Sequence, residues 1–419
     1  MPIKFRERPV KEKRSLLKDM LWNKSKPVKH KAALILSGGG ARAAYQVGVL
    51  KAIAEIMPKD TQNPFPILCG TSAGAINATA MAIYSAKFRE AVWRLVHVWG
   101  NFHVPQVFRS DFVGLGGVSA RWFASMVLGG LGKYNPTALL DRSPLRRLLG
   151  DYLPMEQIQM AIDQGHIDAL SITASSYNTG HSVAFFQGAD FIDEWARARR
   201  RGTRTTLTLD HLMASSAIPF VFSARKIGDE YFGDGTMRQT APLSPALHLG
   251  ADRLFVIGVR HEGDDEVEWH PDKELSLGQL AGHVLDSIFL DNVDMDVERM
   301  LRINKTFSQI PDRHIPDDSA TLRQVGILDI SPSRDLYKIA DKHAHLMPRA
   351  VRFFLRGLGV SKQHGSNLLS YLLFEKEYCR ELIALGYGDA LHRKDEIYEF
   401  LTSEKPELIF QNQSISHNA

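Results

Sequence analysis

The chain is poor in cysteine and has no long apolar stretch, and both shortages narrow the class of protein. Its 419 residues include two cysteines, Cys69 and Cys379, which cannot build a disulfide framework and are expected to be buried, reduced thiols. No cysteine and histidine spacing fits a zinc site, so we expect no metal. The longest charge-free stretch, residues 62–86, is interrupted by Pro64 and Pro66 and is a poor candidate for a membrane span.

Charge is nearly balanced over the whole chain but is unevenly placed. The formal net charge is +4, whereas residues 1–31 hold eleven basic and three acidic side chains. The rest of the chain is therefore mildly acidic, which disfavours nucleic acid as a partner. The basic segment lacks the apolar core of a secretory signal, so we expect a cytoplasmic protein. Two interpretations of the tail stay open, a solvated segment and a segment that contacts anionic membranes loosely.

Two strand–turn–helix units are predicted within the first ninety residues. Residues 32–36 form a short apolar run that ends in a serine and three glycines, and a helical stripe follows at once. Residues 66–69 form a second run, followed by a glycine-bounded turn and another helical stripe. Two such units in succession predict an α/β fold, with a mostly parallel central sheet flanked by helices.

Later in the chain the pattern predicts a hairpin and then a helical C-terminal region. Residues 170–174 and 183–186 flank an Asn-Thr-Gly turn, which is typical of an antiparallel hairpin. Helices are expected over residues 343–355 and 371–385, with Gly386 ending the second one. The C-terminal region is therefore expected to be an extension of helices.

The first chemical motif is Gly70-Thr71-Ser72-Ala73-Gly74, which lies between a predicted strand and a predicted helix. A tight, strained turn in that context places the serine hydroxyl at the top of the sheet and at a helix N-terminus. We interpret Ser72 as a nucleophile. The alternative is an ordinary strand-to-helix turn capped by a serine.

The second motif is Gly38-Gly39-Gly40-Ala41-Arg42, at the start of a helix. Consecutive backbone N–H groups in such a turn suit an anion or a developing oxyanion. With Ala43 the same glycines also satisfy the dinucleotide-binding pattern, which keeps a nucleotide-binding, Rossmann-type oxidoreductase as an alternative. The acidic residue expected after the second strand is not evident, because Asp60 stands in a polar, proline-containing loop.

The third motif is Gly233-Asp234-Gly235-Thr236, an aspartate between two glycines after an aromatic pair. Taken alone it is most simply an Asp-Gly turn, although the aspartate is well placed to project from a loop. A Ser–Asp–His triad esterase stays open as an alternative, because several histidines follow Asp234. The candidates for that third member are His248, His261, His270 and His283.

These stretches occur together in one order: Ser37–Arg42, then Gly70–Gly74, then Ala214–Pro219, then Asp234–Gly235. In combination they resemble the patatin-like phospholipases, and the combination is far more specific than any single motif. The resemblance implies a lipid acyl hydrolase that cleaves carboxylic esters through an acyl-serine intermediate, with a lipid or fatty-acyl ester as substrate and no cofactor. A non-catalytic, membrane-associated module is the rival from another class.

The resemblance also implies a role for each residue of a Ser–Asp dyad. Ser72 would be the nucleophile and Asp234 the base that accepts its proton. Because an aspartate of ordinary pKa is a weak base, we expect burial to raise the pKa of Asp234. The expected oxyanion hole, with the basic residue that supports its electrostatics, consists of Gly38, Gly39, Gly40 and Arg42.

Two positions depart from the family pattern, and the chain is expected to divide into three parts. Thr236 stands where glycine or alanine is usual, and Ala43 stands where glycine is common. We expect a basic N-terminal tail at residues 1–31 and a patatin-like catalytic domain at residues 32–331. A helical C-terminal extension packed on the core would occupy residues 332–419.

Overall fold

One mixed sheet organises the part of the chain that the computed structural model describes, which is residues 30–110, 117, 138–261, 291–309, 323–357 and 366–403. Its strands in those ranges are β1 (Ala32–Leu36), β2 (Ile67–Thr71), β3 (Ala169–Ser176), β4 (Ser182–Gly188), β5 (Trp195–Arg197), β6 (Arg200–Arg204), β7 (Arg225–Ile227), β8 (Glu230–Asp234), β9 (Arg253–Ile257) and β10 (Gly326–Ile330). The order across the sheet is β10-β9-β1-β2-β3-β4-β6-β5, and the β7–β8 hairpin attaches to β3. Strands β10 to β3 run parallel, whereas β4 and β8 both pair with β3 antiparallel.

The central strands are apolar because helices cover both faces of the sheet. Every residue of β1, β2 and β9 is buried. Alternate side chains enter two separate cores, so that Leu34 and Phe255 lie in one and Ile35 and Val256 in the other. Strands β1 and β2 end at the same edge of the sheet, and each leads there into one of the glycine-rich turns.

Helices flank this sheet and form most of the C-terminal region. In the described ranges they are α1 (Ala44–Ile56), α2 (Ala73–Ile83), α3 (Phe88–Trp99), α4 (Val104–Val107), α5 (Ser143–Tyr152), α6 (Gln157–Asp163), α7 (Leu209–Ser215), α8 (Ser244–His248), α9 (Asp291–Phe307), α10 (Leu336–His343), α11 (Arg349–Gly357), α12 (Ser366–Leu372), α13 (Lys376–His392) and α14 (Lys394–Thr402). The predicted α/β fold, mostly parallel with flanking helices and a helical C-terminal region, is confirmed. None of these helices has the length and apolar character that spanning a membrane requires.

Helix α13 packs directly on α1, and a glycine permits the close approach. The helix predicted over residues 371–385 with a stop at Gly386 is wrong at both ends, because α12 stops at Leu372 and α13 continues through Gly386. A Cβ at Gly386 would lie 2.2 Å from the carbonyl oxygen of Tyr45 on α1. The missing side chain therefore serves contact between two helices rather than helix termination.

Two other local predictions have different outcomes. The predicted hairpin is confirmed, since β3 and β4 pair antiparallel around a turn in which Gly180 has a φ of 68°. The helix predicted at residues 343–355 is confirmed from Arg349 onward but is wrong in its start, because α10 ends at His343 and α11 begins after Pro348, a residue that interrupts a helix. The basic tail lies outside the described residues up to position 29, so that assignment stays a prediction.

Candidate active site

Ser72 occupies the turn between β2 and α2 in a strained backbone conformation. Its φ of 55° and ψ of −125° lie outside the regions that residues other than glycine favour. The backbone N–H of Ser72 donates to the Oγ of Ser215 at 2.9 Å, and that Oγ donates to the carbonyl of Thr173 at 2.6 Å. Ser215 therefore ties the strained turn to β3, and strain that is held in this way is common at functional sites.

The register of the sheet brings Asp234 to the same place. Thr71, the residue before Ser72, pairs with Thr173 on β3, and Asp234 pairs with the next residue of β3, Ala174. Strand β4 pairs along one edge of β3. Strand β2 pairs along the opposite edge up to Thr173, and β8 pairs with the next residues of that same edge. Two motifs that are far apart in the sequence therefore meet at the end of β2.

The carboxyl of Asp234 is fully buried, and this changes its acidity. Burial raises the pKa of Asp234 to about 6, although Ser72, Thr236 and Arg142 act to lower it. Thr236 donates to Oδ1 from its backbone N–H at 3.1 Å and from its Oγ1 at 2.7 Å. Oδ2 has no hydrogen-bond partner among the described residues. A carboxylate with this pKa is a stronger base than an ordinary aspartate.

Thr236 is one of the two departures from the family pattern, and the structure gives it a contact. Its hydroxyl supplies one of the two hydrogen bonds to Oδ1 of Asp234, which glycine or alanine could not do. Ala43, the other departure, is fully buried, and its carbonyl accepts a hydrogen bond from Nδ2 of Asn77 at 3.3 Å.

Arg142 is a buried cation near Asp234 that the sequence does not reveal. Its guanidinium donates to the Oγ of Ser216 at 3.2 Å and to the carbonyl of Ser223 at 2.9 Å. Burial lowers the pKa of Arg142 to about 10, and the charge of Asp234 acts in the opposite direction. No local pattern marks this residue, because its partners are 74 and 81 positions away.

The glycine loop brings Gly40 to the cavity that Ser72 lines. Gly40 has a φ of 56° and starts a short 3-10 turn after β1, and it borders the same cavity as Ser72. Gly39 lies just before that turn, and its carbonyl accepts the N–H of Arg42 at 3.1 Å. Gly38 borders a second, smaller space. Of the three predicted oxyanion glycines, Gly40 is therefore the one that shares the cavity with Ser72.

The side chain of Arg42 lies against the C-terminal region rather than in the cavity. It is buried, and its Nε donates to the Oγ of Ser370 at 2.8 Å. Its guanidinium carbon lies 4.2 Å from the ring centroid of Tyr371. Any effect of Arg42 on an oxyanion would therefore act through the loop that carries it.

Replacing Gly40 with alanine tests how tightly this loop is fitted. A Cβ at Gly40 would lie 2.3 Å from the carbonyl oxygen of Tyr371, and the φ of 56° adds strain. Gly228→Ala is the matched control, since Gly228 has a φ of 57° and open space around it. We expect about 1 kcal/mol of destabilisation for Gly228→Ala and a further 1–3 kcal/mol for Gly40→Ala. Urea unfolding measures both, and equal losses would contradict a tightly fitted loop.

An apolar cavity of about 1150 Å³, including its open mouth, leads away from Ser72 and Gly40. Its walls come from α2, α3, α5 and the segment that joins α12 to α13. Apart from Arg94 and His97 on α3, the lining is almost wholly aliphatic or aromatic, and it includes Ile76, Trp99, Phe102, Leu149, Ile218 and Phe374. Such a lining suits a long aliphatic chain.

Of the four histidines considered for a triad, the two that lie among the described residues do not contact Ser72 or Asp234. Among the described residues, neither Ser72 nor Asp234 has a histidine partner. His248 stacks on Trp195 at 4.9 Å, and burial lowers its pKa to about 4. His261 hydrogen-bonds to a backbone carbonyl. Outside the described residues lie the two other candidates, His270 and His283.

The surroundings of the glycine loop do not favour a dinucleotide or a metal. The next strand, β2, ends at Thr71 and is followed by Ser72, whereas the dinucleotide pattern needs an acidic residue near that point. Within the described ranges, no group of three or more His, Cys, Asp or Glu residues is placed to hold a metal ion.

Fold and site together define an α/β protein that holds a serine on a strand-to-helix turn, next to a buried aspartate and a glycine loop. The family model described as "Patatin-like phospholipase" matches residues 34–247, just over half of the chain. The chain belongs to the patatin-like phospholipase family, which implies lipid acyl hydrolase activity.

Two known proteins extend this comparison. A protein named "cGAMP-activated phospholipase", from Pseudomonas aeruginosa (strain BWHPSA011 / Pa011), is 23% identical over 343 residues, which cover 76% of this chain and 88% of that protein. The crystal structure of VipD from Legionella pneumophila aligns with a TM-score of 0.30 and 12% identity, covering 88% of this chain and 67% of that one. The family and the Pseudomonas relative both support a lipid hydrolase.

Proposed function

We propose that this protein hydrolyses carboxylic esters of lipids, with Ser72 as the nucleophile and Asp234 as the base. The observation that carries the proposal is the meeting of three features beside an apolar cavity that Ser72 and Gly40 line. These are the strained turn at Ser72, the buried carboxyl of Asp234 and the glycine loop at Gly40. Each supplies one requirement of ester cleavage: a hydroxyl that borders the cavity, a proton acceptor and oxyanion donors.

In the first half of the reaction Asp234 takes the proton of the Ser72 hydroxyl as Oγ attacks the ester carbonyl carbon. The C–O bond that forms converts the carbonyl oxygen into an oxyanion. Backbone N–H groups of the glycine loop, Gly38–Gly40, would donate to that oxyanion, and one such donor is typically worth about 2.7–4 kcal/mol. In a dyad Asp234 itself accepts the serine proton, whereas in a triad a histidine does so. The raised pKa of Asp234 therefore contributes directly to the rate of attack.

The second half reverses the direction of proton transfer and then repeats the attack with water. The tetrahedral intermediate collapses, the alcohol leaves with the proton that Asp234 holds, and an acyl-Ser72 ester remains. Asp234 then takes a proton from water, whose oxygen attacks the acyl carbon. Collapse releases the fatty acid and returns the proton to Oγ. These steps call for no metal or organic cofactor.

The cavity supports a long-chain acyl ester as the substrate class. Its aliphatic and aromatic walls start next to Ser72, so a fatty acyl chain can fill the space while its ester carbonyl stays at the hydroxyl. We therefore propose an activity of the phospholipase A or lysophospholipase type.

The proposal also divides the chain into three parts. The basic residues 1–31 would contact anionic membranes loosely, residues 32–331 would form the catalytic domain, and residues 332–419 would form a helical extension.

Incubation of the purified protein with a mixed lipid extract tests the proposed activity. Product analysis by mass should detect free fatty acids together with lysolipids or deacylated headgroups. The reaction is run with and without cGAMP, because the Pseudomonas relative is named for activation by that molecule. Free fatty acid in either arm supports the proposal. No product in both arms, from a folded protein, would contradict it.

The pKa of Asp234 predicts the pH dependence of the reaction. Only the ionised carboxylate can accept the serine proton, and burial raises this pKa to about 6. The kcat/KM for a soluble ester should therefore increase about tenfold per pH unit below pH 6 and level off above it. A profile that is flat between pH 5 and 7 would exclude Asp234 as the base.

A further inference from the structure

The C-terminal region closes one side of the proposed active site. Helix α12 ends next to the glycine loop, where the carbonyl oxygen of Tyr371 faces the Cα of Gly40 so closely that a Cβ would lie 2.3 Å away. Tyr371 also lines the apolar cavity together with Ser72. The family match ends at residue 247, so this wall comes from a part of the chain beyond the matched region.

A second contact joins the same helix to the base of the loop. Ser370 is fully buried, and its Oγ accepts a hydrogen bond from Nε of Arg42 at 2.8 Å. The ring of Tyr371 lies 4.2 Å from the guanidinium carbon of Arg42, which is a cation–π contact. Both interactions are strengthened by burial, because water does not compete for the charge.

The segment that follows α12 is fixed at its other end as well. The carboxylate of Glu375 accepts the backbone N–H of Val104 at 3.1 Å and lies 2.9 Å from Nδ1 of His103. Residues 370–375 are therefore held between Arg42 on one side and the start of α4 on the other. A segment anchored at both ends can act as a rigid support for what it touches.

We propose that Ser370 and Tyr371 are positioning residues, which hold the glycine loop in its reactive geometry through Arg42 and Gly40. This inference rests on the proposed function. An oxyanion hole works only when its donors are in place before charge develops, so a small displacement of Gly40 lowers the rate of attack. The role of Arg42 is then to connect the loop to α12 rather than to contact the substrate.

Kinetics of Ser370→Ala with a short, soluble p-nitrophenyl ester test this role. We expect kcat to decrease about 10- to 100-fold while KM changes less than about twofold, because the loop acts on the transition state. Ser333→Ala is the control for loss of a serine hydrogen bond in the C-terminal region, since the exposed Ser333 donates its hydroxyl to Asp389 at 2.6 Å. This control should keep full kcat.

A double-mutant cycle separates positioning from a general loss of structure. If Ser370 acts through Arg42, Arg42→Met with Ser370→Ala should be no slower than Arg42→Met alone. Multiplicative losses, or an unchanged kcat in Ser370→Ala, would overturn the inference while wild-type turnover still supports the proposed function. Should Ser370→Ala fail to fold, Ser370→Cys keeps the unbranched form of the side chain, fills the space with a weaker acceptor and carries the same prediction.

Discussion

Replacing Ser72 with alanine should reduce ester hydrolysis by roughly 10⁴-fold or more. The hydroxyl is the atom that forms the acyl bond. Ser216, another serine that lines the cavity, already donates its hydroxyl to the carbonyl of Leu212 at 2.8 Å. Alanine keeps the Cβ, so the strain at φ 55° and the fold are expected to stay as they are. Release of fatty acid and a melting curve on the same sample measure both effects.

Two further variants sharpen that result. Ser85→Ala is a matched control, because Ser85 is a buried serine whose hydroxyl has no hydrogen-bond partner among the described residues. It should keep full activity. Ser72→Gly should be as inactive as Ser72→Ala but about 1 kcal/mol more stable, since glycine relieves the strained conformation. Substantial turnover by either Ser72 variant would refute a serine nucleophile at this position.

Replacing Asp234 with asparagine should lower kcat/KM by about 10³- to 10⁴-fold. The amide keeps the shape of the side chain and can still accept from Thr236, but it cannot take a proton from Ser72. Asp229→Asn is the control, because Asp229 is an exposed aspartate in the turn between β7 and β8. Rates near wild type for Asp234→Asn would show that another group is the base.

The same substitution should make the protein more stable at neutral pH. The pKa of Asp234 is about 6 in the folded protein and near 3.8 without the fold. Its contribution to stability is therefore fully present below about pH 4 and is lost as the pH rises through 6. Removing the charge should recover roughly 2–3 kcal/mol at pH 8 and little at pH 4. Urea unfolding of both proteins at both pH values measures the difference in the free energy of unfolding. Equal effects at the two pH values would contradict the claim that burial destabilises the charged carboxylate of Asp234.

The sequence could predict the parts of the site that depend on neighbouring residues. The turn at Ser72 and the loop at Gly38–Gly40 follow from short glycine patterns between a strand and a helix, and both lie where the patterns place them. The place of Asp234 depends on the pairing of β8 with β3, which no local pattern contains. Its interpretation as a base came from the family resemblance.

The residues that the sequence could not reveal act across long separations in the chain. Arg42 and Ser370 are 328 positions apart, and the partners of Arg142 are also remote from it in sequence. At Gly386 a local pattern gives a wrong prediction. A glycine in a helical pattern predicts the end of the helix, whereas this glycine lies inside α13 because of a contact with another helix. The carbonyl of Tyr45 occupies the space where its side chain would lie.

Labelling with a fluorophosphonate probe is the most direct measurement of the central claim, which is that Ser72 is a nucleophile activated by Asp234. Peptide mapping by mass should find the phosphonate adduct on Ser72 of the wild-type protein. Labelling should be absent in Ser72→Ala and far slower in Asp234→Asn. An adduct on any other residue of the folded protein, with Ser72 unmodified, would contradict the assignment.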